Sequence, residues 1–120
     1  MQQEFFANST RRRIVCLCGS TRFWRVFQEA NLRETLAGNI VLSIGAASGT
    51  DDDHFGNLPP DEYARIKADL DALHLDKVAL ADEVLILNVD GYIGESTRNE
   101  LAHALRSGKR VRFWEEPHDN

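Results

Sequence analysis

Chemistry-bearing residues gather in two short segments of this chain. The richer one runs Gly91-Tyr92-Ile93-Gly94-Glu95-Ser96-Thr97-Arg98-Asn99-Glu100, with Asp90 immediately before it. It delivers hydroxyls and carboxylates to one turn, and a carboxylate with a second one nearby gains proton affinity and becomes fit for acid–base work. The other segment is Cys18-Gly19-Ser20-Thr21-Arg22. Glycine admits close backbone approach, Ser20 and Thr21 carry hydroxyls, and Arg22 adds a fork of donors matched to an anionic oxygen. At the start of a helix, where backbone N–H groups are free, such a turn suits a phosphate. It is neither a Walker loop nor a GxGxxG dinucleotide turn. Each segment also has a purely local reading. Ser and Thr are ordinary N-cap residues, and Thr97-Arg98-Asn99-Glu100 fits a capping box in which Glu100 bonds back to its own helix.

The elements that must position these turns follow from hydrophobic periodicity. Arg13–Leu17 is apolar and β-branched and predicts a buried first strand, and Gly19-Ser20-Thr21 breaks it. Phe23, Phe27, Ala30 and Leu36 predict a helix over Thr21–Ala37, with Gly38 as its stop. Ile40–Ile44 predicts a second strand. Residues 45–60 are rich in Gly, Ser, Asp, Asn and Pro and have no period, so they predict a long loop. Pro60-Asp61-Glu62 is a good helix start. Tyr63, Ile66, Leu70 and Leu73 are the expected buried stripe of a helix reaching about Ala81. Val84–Leu87 predicts a third strand, Thr97–Ser107 a helix and Val111–Trp114 a fourth strand. Strands alternating with helices imply right-handed crossovers. The expected fold is a small three-layer α/β domain, flavodoxin- or Rossmann-like, with a mainly parallel sheet of four or five strands. Both turns then fall at carboxyl ends of strands, where such sheets bind ligands.

The 120 residues, 42% of them hydrophobic, suffice for one domain with one core. Residues 1–12 and 115–120 read as tails. A net charge of −5 argues against a nucleic-acid polymer as partner. No apolar run approaches the roughly 20 residues of a membrane-spanning helix. Met1–Thr10 lacks the basic-then-apolar order of a signal peptide, and its Phe5-Phe6 pair is a candidate packing element. Cys16 and Cys18, two apart in a strand, point to one face, where a disulfide between them would be strained. They read as reduced thiols of a cytoplasmic protein, at the core or the site's edge, and two thiols without further ligands make a poor zinc site. Asp51-Asp52-Asp53-His54 has metal-ligand chemistry, but consecutive residues rarely converge on one ion, and a solvated loop is the expectation. His74 and His103 are expected as surface or half-buried helix residues, Asp82 at a helix end, and Arg11-Arg12-Arg13 as a solvated entry to the first strand.

Cys-Gly-Ser-Thr-Arg after the first strand, paired with Gly-x-x-x-x-x-Glu-x-x-x-Ala before Gly-Lys-x-Val, resembles the nucleoside 2-deoxyribosyltransferase superfamily. Within it the chain looks most like the 2′-deoxynucleoside 5′-phosphate N-hydrolase branch. The likeness covers about Val15–Val111, and its specific part is the two turns. Ala102 stands where the family helix usually has glycine, and Cys16-Leu17 where a tyrosine often precedes the first turn. The resemblance implies cleavage of an N-glycosidic bond, with Glu100 as nucleophile. It implies Gly19, Ser20, Thr21 and Arg22 at a 5′-phosphate, with Ser96 as a further donor and Asp90 and Gly94 in the same substrate-binding turn. The family's general-acid aspartate precedes the third strand, and Asp76 is the nearest candidate. A homodimer is expected on the same ground.

The leading expectation is therefore an N-glycosidase or deoxyribosyltransferase-like enzyme acting on a nucleotide or nucleoside, without cofactor or metal. The alternative is a non-catalytic nucleotide-binding or sensor domain on the same scaffold, since fold does not fix function. An enzyme should present Glu100 to a cleft beside the Gly19 turn; a binding module can bury it in its own helix cap. A metal-dependent hydrolase built on Asp51–His54 is a third, weaker class.

Overall fold

The computed structural model describes residues 11–116. The Phe5-Phe6 pair and residues 117–120 lie outside them. The strands are β1 (Ile14–Cys18), β2 (Ile40–Leu42), β3 (Glu83–Ile86) and β4 (Arg110–Phe113). All pair in parallel, in the order β2-β1-β3-β4. The helices are α1 (Trp24–Leu36), the short α2 (Asp51–Phe55), α3 (Pro60–Leu80) and α4 (Glu95–Arg106), with 3₁₀ turns at Thr21–Phe23 and Val89–Gly91. The fold is the expected three-layer α/β domain with four strands.

Alternation along β1 and β3 divides the core, as a period of two requires. Val15, Leu17, Leu85 and Leu87 pack with Phe27 and Ala30 of α1. On the opposite face Cys16, Cys18, Val84 and Ile86 pack with Val78 of α3 and Ala104 of α4. Among the described residues no helix is long and apolar enough to cross a membrane.

Two helices differ from expectation in what they bury. Leu36 of α1 is exposed, and Glu34 takes the inward position two residues earlier. On α3, Leu70 and Leu73 are exposed, while His74 and Val78 are buried and Lys67 and Asp71 are half-buried. The inward face of α3 is thus largely polar. Residues 45–60 also are not all loop. Thr50 caps α2 in a capping box with Asp53, which holds the first turn of a five-residue helix.

Glu34 belongs to a charged cluster at the amino end of the sheet. Arg112 of β4 bonds the buried Glu83 through Nε and reaches Glu34 with Nη2 at 2.9 Å. Arg13 lies 3.4 Å from Glu83, and Asn39 donates to Glu34 at 2.9 Å. Burial pushes the Glu34 carboxyl up, but the bonds from Arg112 and Asn39 outweigh it, and its pKa lies below the ordinary value. The cluster sits on the α1 face of the sheet, where Arg112 of β4 bridges Glu83 and Glu34.

The arginines before β1 are paired rather than merely solvated. Arg11 grips Asp82 with two bonds of 2.8 and 2.7 Å, and Arg12 donates to the Gly38 carbonyl at 3.0 Å. Asp82 also accepts the Ile14 N–H at 2.8 Å, which joins the end of α3 to the start of β1. The Arg11 bond and the Ile14 N–H hold the Asp82 carboxyl down at about 2. Because the folded value lies below the ordinary one, this contribution is complete above about pH 4 and is lost as pH falls toward 2. Asp82→Asn should therefore lower the unfolding midpoint at pH 7 and flatten its decline between pH 4 and 2, as read by denaturant titrations across that window.

Gly19 marks the closest approach of the first turn to β3. A Cβ there would lie 3.0 Å from the Leu87 Cβ and 3.5 Å from the Phe27 ring. Gly19→Ala should cost about 1–3 kcal/mol, the usual cost of overpacking a filled site, measurable by urea unfolding.

Candidate functional site

In the order β2-β1-β3-β4 the chain leaves β1 toward one edge of the sheet and β3 toward the other. The crevice between their carboxyl ends is the topological switch point, the usual ligand position in open parallel sheets. A cavity of about 690 Å³ opens there. Gly19, Ser20, Thr21 and Arg22 line it from the turn after β1; Gly94, Ser96 and Glu100 line it from the turn after β3 and from α4. Asp51, Lys67, Asp71 and His74 complete the wall from α2 and α3.

Two expected site residues fall elsewhere. Asp76 is exposed and is not among the cavity's lining residues, because the side of α3 that meets the cavity carries Lys67, Asp71 and His74 at spacings of four and three. Asp90 is exposed in the left-handed conformation (φ 53°), its N–H donates to Glu115 Oε1 at 3.0 Å, and it too is absent from the lining. With Gly91 at φ 80°, Asp90 forms the tight turn that carries the chain toward Tyr92.

Glu100 does not cap its helix. α4 begins at Glu95 with Gly94 as its N-cap and no side-chain capping bond, so Thr97 lies a turn inside and the capping-box reading fails. The Glu100 side chain is nearly enclosed yet lines the cavity. Burial pushes its carboxyl up to about 7, against the opposing pull of His74 and Cys18.

The first turn is already partly engaged. Ser20 Oγ accepts the Arg22 N–H at 3.2 Å, and Thr21 Oγ1 accepts the Asp51 N–H at 3.1 Å, which ties α2 to the turn. The Arg22 guanidinium stacks 4.1 Å above the Tyr92 ring and donates to its hydroxyl at 3.2 Å. This pair spans the two turns.

The α3 wall has its own network. Lys67 Nζ lies 3.4 Å from Asp51, 3.2 Å from Asp71 and 3.3 Å from the Ser96 hydroxyl, which itself donates to Asp71 at 3.3 Å. Burial works against the Lys67 charge, but Asp71 and Asp51 outweigh it and raise its pKa. Behind Glu100, His74 Nε2 sits 2.9 Å from the Leu17 carbonyl and 3.6 Å from each of the Cys16 and Cys18 sulfurs. The neighbouring thiols act on each other in opposite directions, so that Cys16 is the more acidic of the two while Cys16 and burial push Cys18 up. Burial disfavours the imidazolium, yet Cys16 raises His74 above its ordinary value.

Lys67, Asp71, His74 and Tyr92 were missed from the sequence. The signal available was a polar stripe at 67, 71 and 74 on the helix, which the competing leucines at 70 and 73 obscured. Asp51–His54 do not converge on one ion. Asp53 caps α2, Asp51 pairs with Lys67, and His54 Nε2 meets the Ser48 carbonyl at 2.6 Å.

By class this is a four-stranded, all-parallel α/β domain of Rossmann-like fold with its cavity at the switch point. No protein-family model matches the chain, and no curated protein matches it in sequence.

Proposed function

We propose that the protein cleaves the N-glycosidic bond of a nucleoside 5′-monophosphate or nucleoside, with Glu100 as the nucleophile. The observation that carries this reading is the placement of Glu100: released from any capping role, it lines the same cavity as the Gly19–Arg22 turn. A sensor domain on this scaffold has no need to hold an enclosed carboxylate against a cavity at the cost of its solvation.

The chemistry is a double displacement. A Glu100 carboxylate oxygen bonds to the anomeric carbon, the carbon–nitrogen bond breaks with its electron pair on the base, and the base takes a proton from water in the cavity, leaving hydroxide. A water then attacks the anomeric carbon and the ester bond breaks, restoring the carboxylate; the attacking water's proton neutralises that hydroxide. Splitting one difficult displacement into two is the advantage of covalent catalysis, and retaining glycosidases use the same logic. In place of Asp76, Asp71 is the carboxyl that α3 brings to the cavity. Arg22 and the N–H groups of the first turn supply positive potential for a 5′-phosphate, and the Ser96 hydroxyl is a further polar group on the cavity wall.

The resemblance also makes a homodimer the expected assembly, and the half-exposed Leu70 and Leu73 at the cavity rim are apolar surface for such a contact. The test of function is incubation with a panel of nucleosides and 5′-monophosphates, with free base read by chromatography. Release from monophosphates in preference to nucleosides supports the reading in full. Nucleotide binding without any release would leave the sensor reading.

A further inference from the structure

Cys16 and Cys18 on β1 and His74 on α3 bring their ligand atoms within 4.8 Å of one another, all three side chains buried. We propose that they form a site for a thiophilic divalent cation of the zinc type, reached from the cavity past His74. The two nitrogen–sulfur separations match those of a coordination shell. With Zn–S bonds of about 2.3 Å and a Zn–N bond of about 2.0–2.1 Å at tetrahedral angles, sulfur and nitrogen ligands lie about 3.6 Å apart. His74 Nε2 lies 3.6 Å from both sulfurs. The strand supplies both thiols to one face through its period of two, and α3 supplies the imidazole 56 residues beyond Cys18. That long separation is why the sequence showed only two unsupported thiols.

Three protein ligands leave a fourth position, the arrangement of zinc sites that keep one place for water or another ligand. Glu100, which lines the same cavity as His74, is the neighbouring carboxylate. Metal entry has a defined proton balance. Both thiols lose their protons to solvent; Nε2 gives up its contact with the Leu17 carbonyl to the metal, and the neutral imidazole carries its proton on Nδ1. Metal occupancy should therefore rise with pH.

Cobalt(II) is the probe, because its spectrum reports ligand type and geometry without reference to any activity. The reduced full chain, stripped with chelator, is titrated with Co²⁺. The expected result is thiolate-to-cobalt charge-transfer absorption together with the intense visible bands of a tetrahedral ion, saturating at one ion per chain and bleached by Zn²⁺. Cys16→Ser and His74→Gln should each weaken or shift these bands while the far-ultraviolet circular dichroism stays native. If the wild-type chain gives only the faint spectrum of hexaaqua cobalt, or its bands persist unchanged in folded His74→Gln protein, the site does not exist. Since no substrate is involved, this outcome is independent of whether the protein cleaves nucleotides.

Discussion

Glu100→Gln should lower base release on the order of 10⁶-fold, the scale on which removal of a covalent nucleophile is felt, while nucleotide binding persists. The substitution keeps the shape of the side chain and removes its ability to form the glycosyl ester. Its effect on stability should run the other way. The Glu100 carboxyl is pushed up to about 7 by burial, from an ordinary value of 4.5. A carboxyl raised on folding is most favourable below its unfolded value and loses stability as pH rises through the folded one. The wild-type protein thus carries a penalty of about 3 kcal/mol above pH 7, which the Glu100→Gln protein lacks. Thermal unfolding in chelator should show the variant more stable at pH 8 and little changed at pH 4.5. The same titration makes the wild-type kcat/KM rise with pH and level off above about 7.

Arg112→Ala should be the most damaging single change to the fold among the charged residues. It removes the cation shared by Glu34 and Glu83, both almost fully enclosed. Breaking a buried pair by removing one partner costs about 3–5 kcal/mol. Because the Arg112 side chain is 44% exposed, solvent already screens part of the interaction, and about 2–3 kcal/mol is expected. The sign with pH is defined. Without Arg112, burial is left to push the Glu34 carboxyl up, so the deficit should shrink as pH falls from 8 toward 5. Adding Glu34→Gln to Arg112→Ala should recover part of the loss. Urea unfolding at the two pH values measures both effects.

Local signals carried the fold. The apolar strand runs, the Pro60 helix start and the helix-ending glycines placed every strand and every long helix within a few residues. What eluded the sequence depends on tertiary contact. Glu34 occupies an inward position because Arg112, 78 residues away, neutralises it. Lys67, Asp71 and His74 face inward because a cavity, rather than an apolar core, lies against α3. Leu70 and Leu73 remain outside. The helix within residues 45–60 rests on a capping box between Thr50 and Asp53 that an aspartate-rich stretch concealed. Of the site, both turns and Glu100 were legible because glycine, hydroxyl and carboxylate residues cluster at strand ends. Asp76 was placed by proximity to β3, whereas helical phase decides which α3 residues reach the cavity.

The central claim is that Glu100 forms a bond to the anomeric carbon, and the configuration of the trapped product reads it most directly. The wild-type protein is incubated with the nucleotide it cleaves in water containing methanol, and the methyl glycoside is analysed by nuclear magnetic resonance. Double displacement through Glu100 predicts a glycoside of retained configuration, absent with the Glu100→Gln protein. An inverted glycoside would mean that Glu100 activates the attacking molecule and forms no bond to the sugar, which contradicts the account.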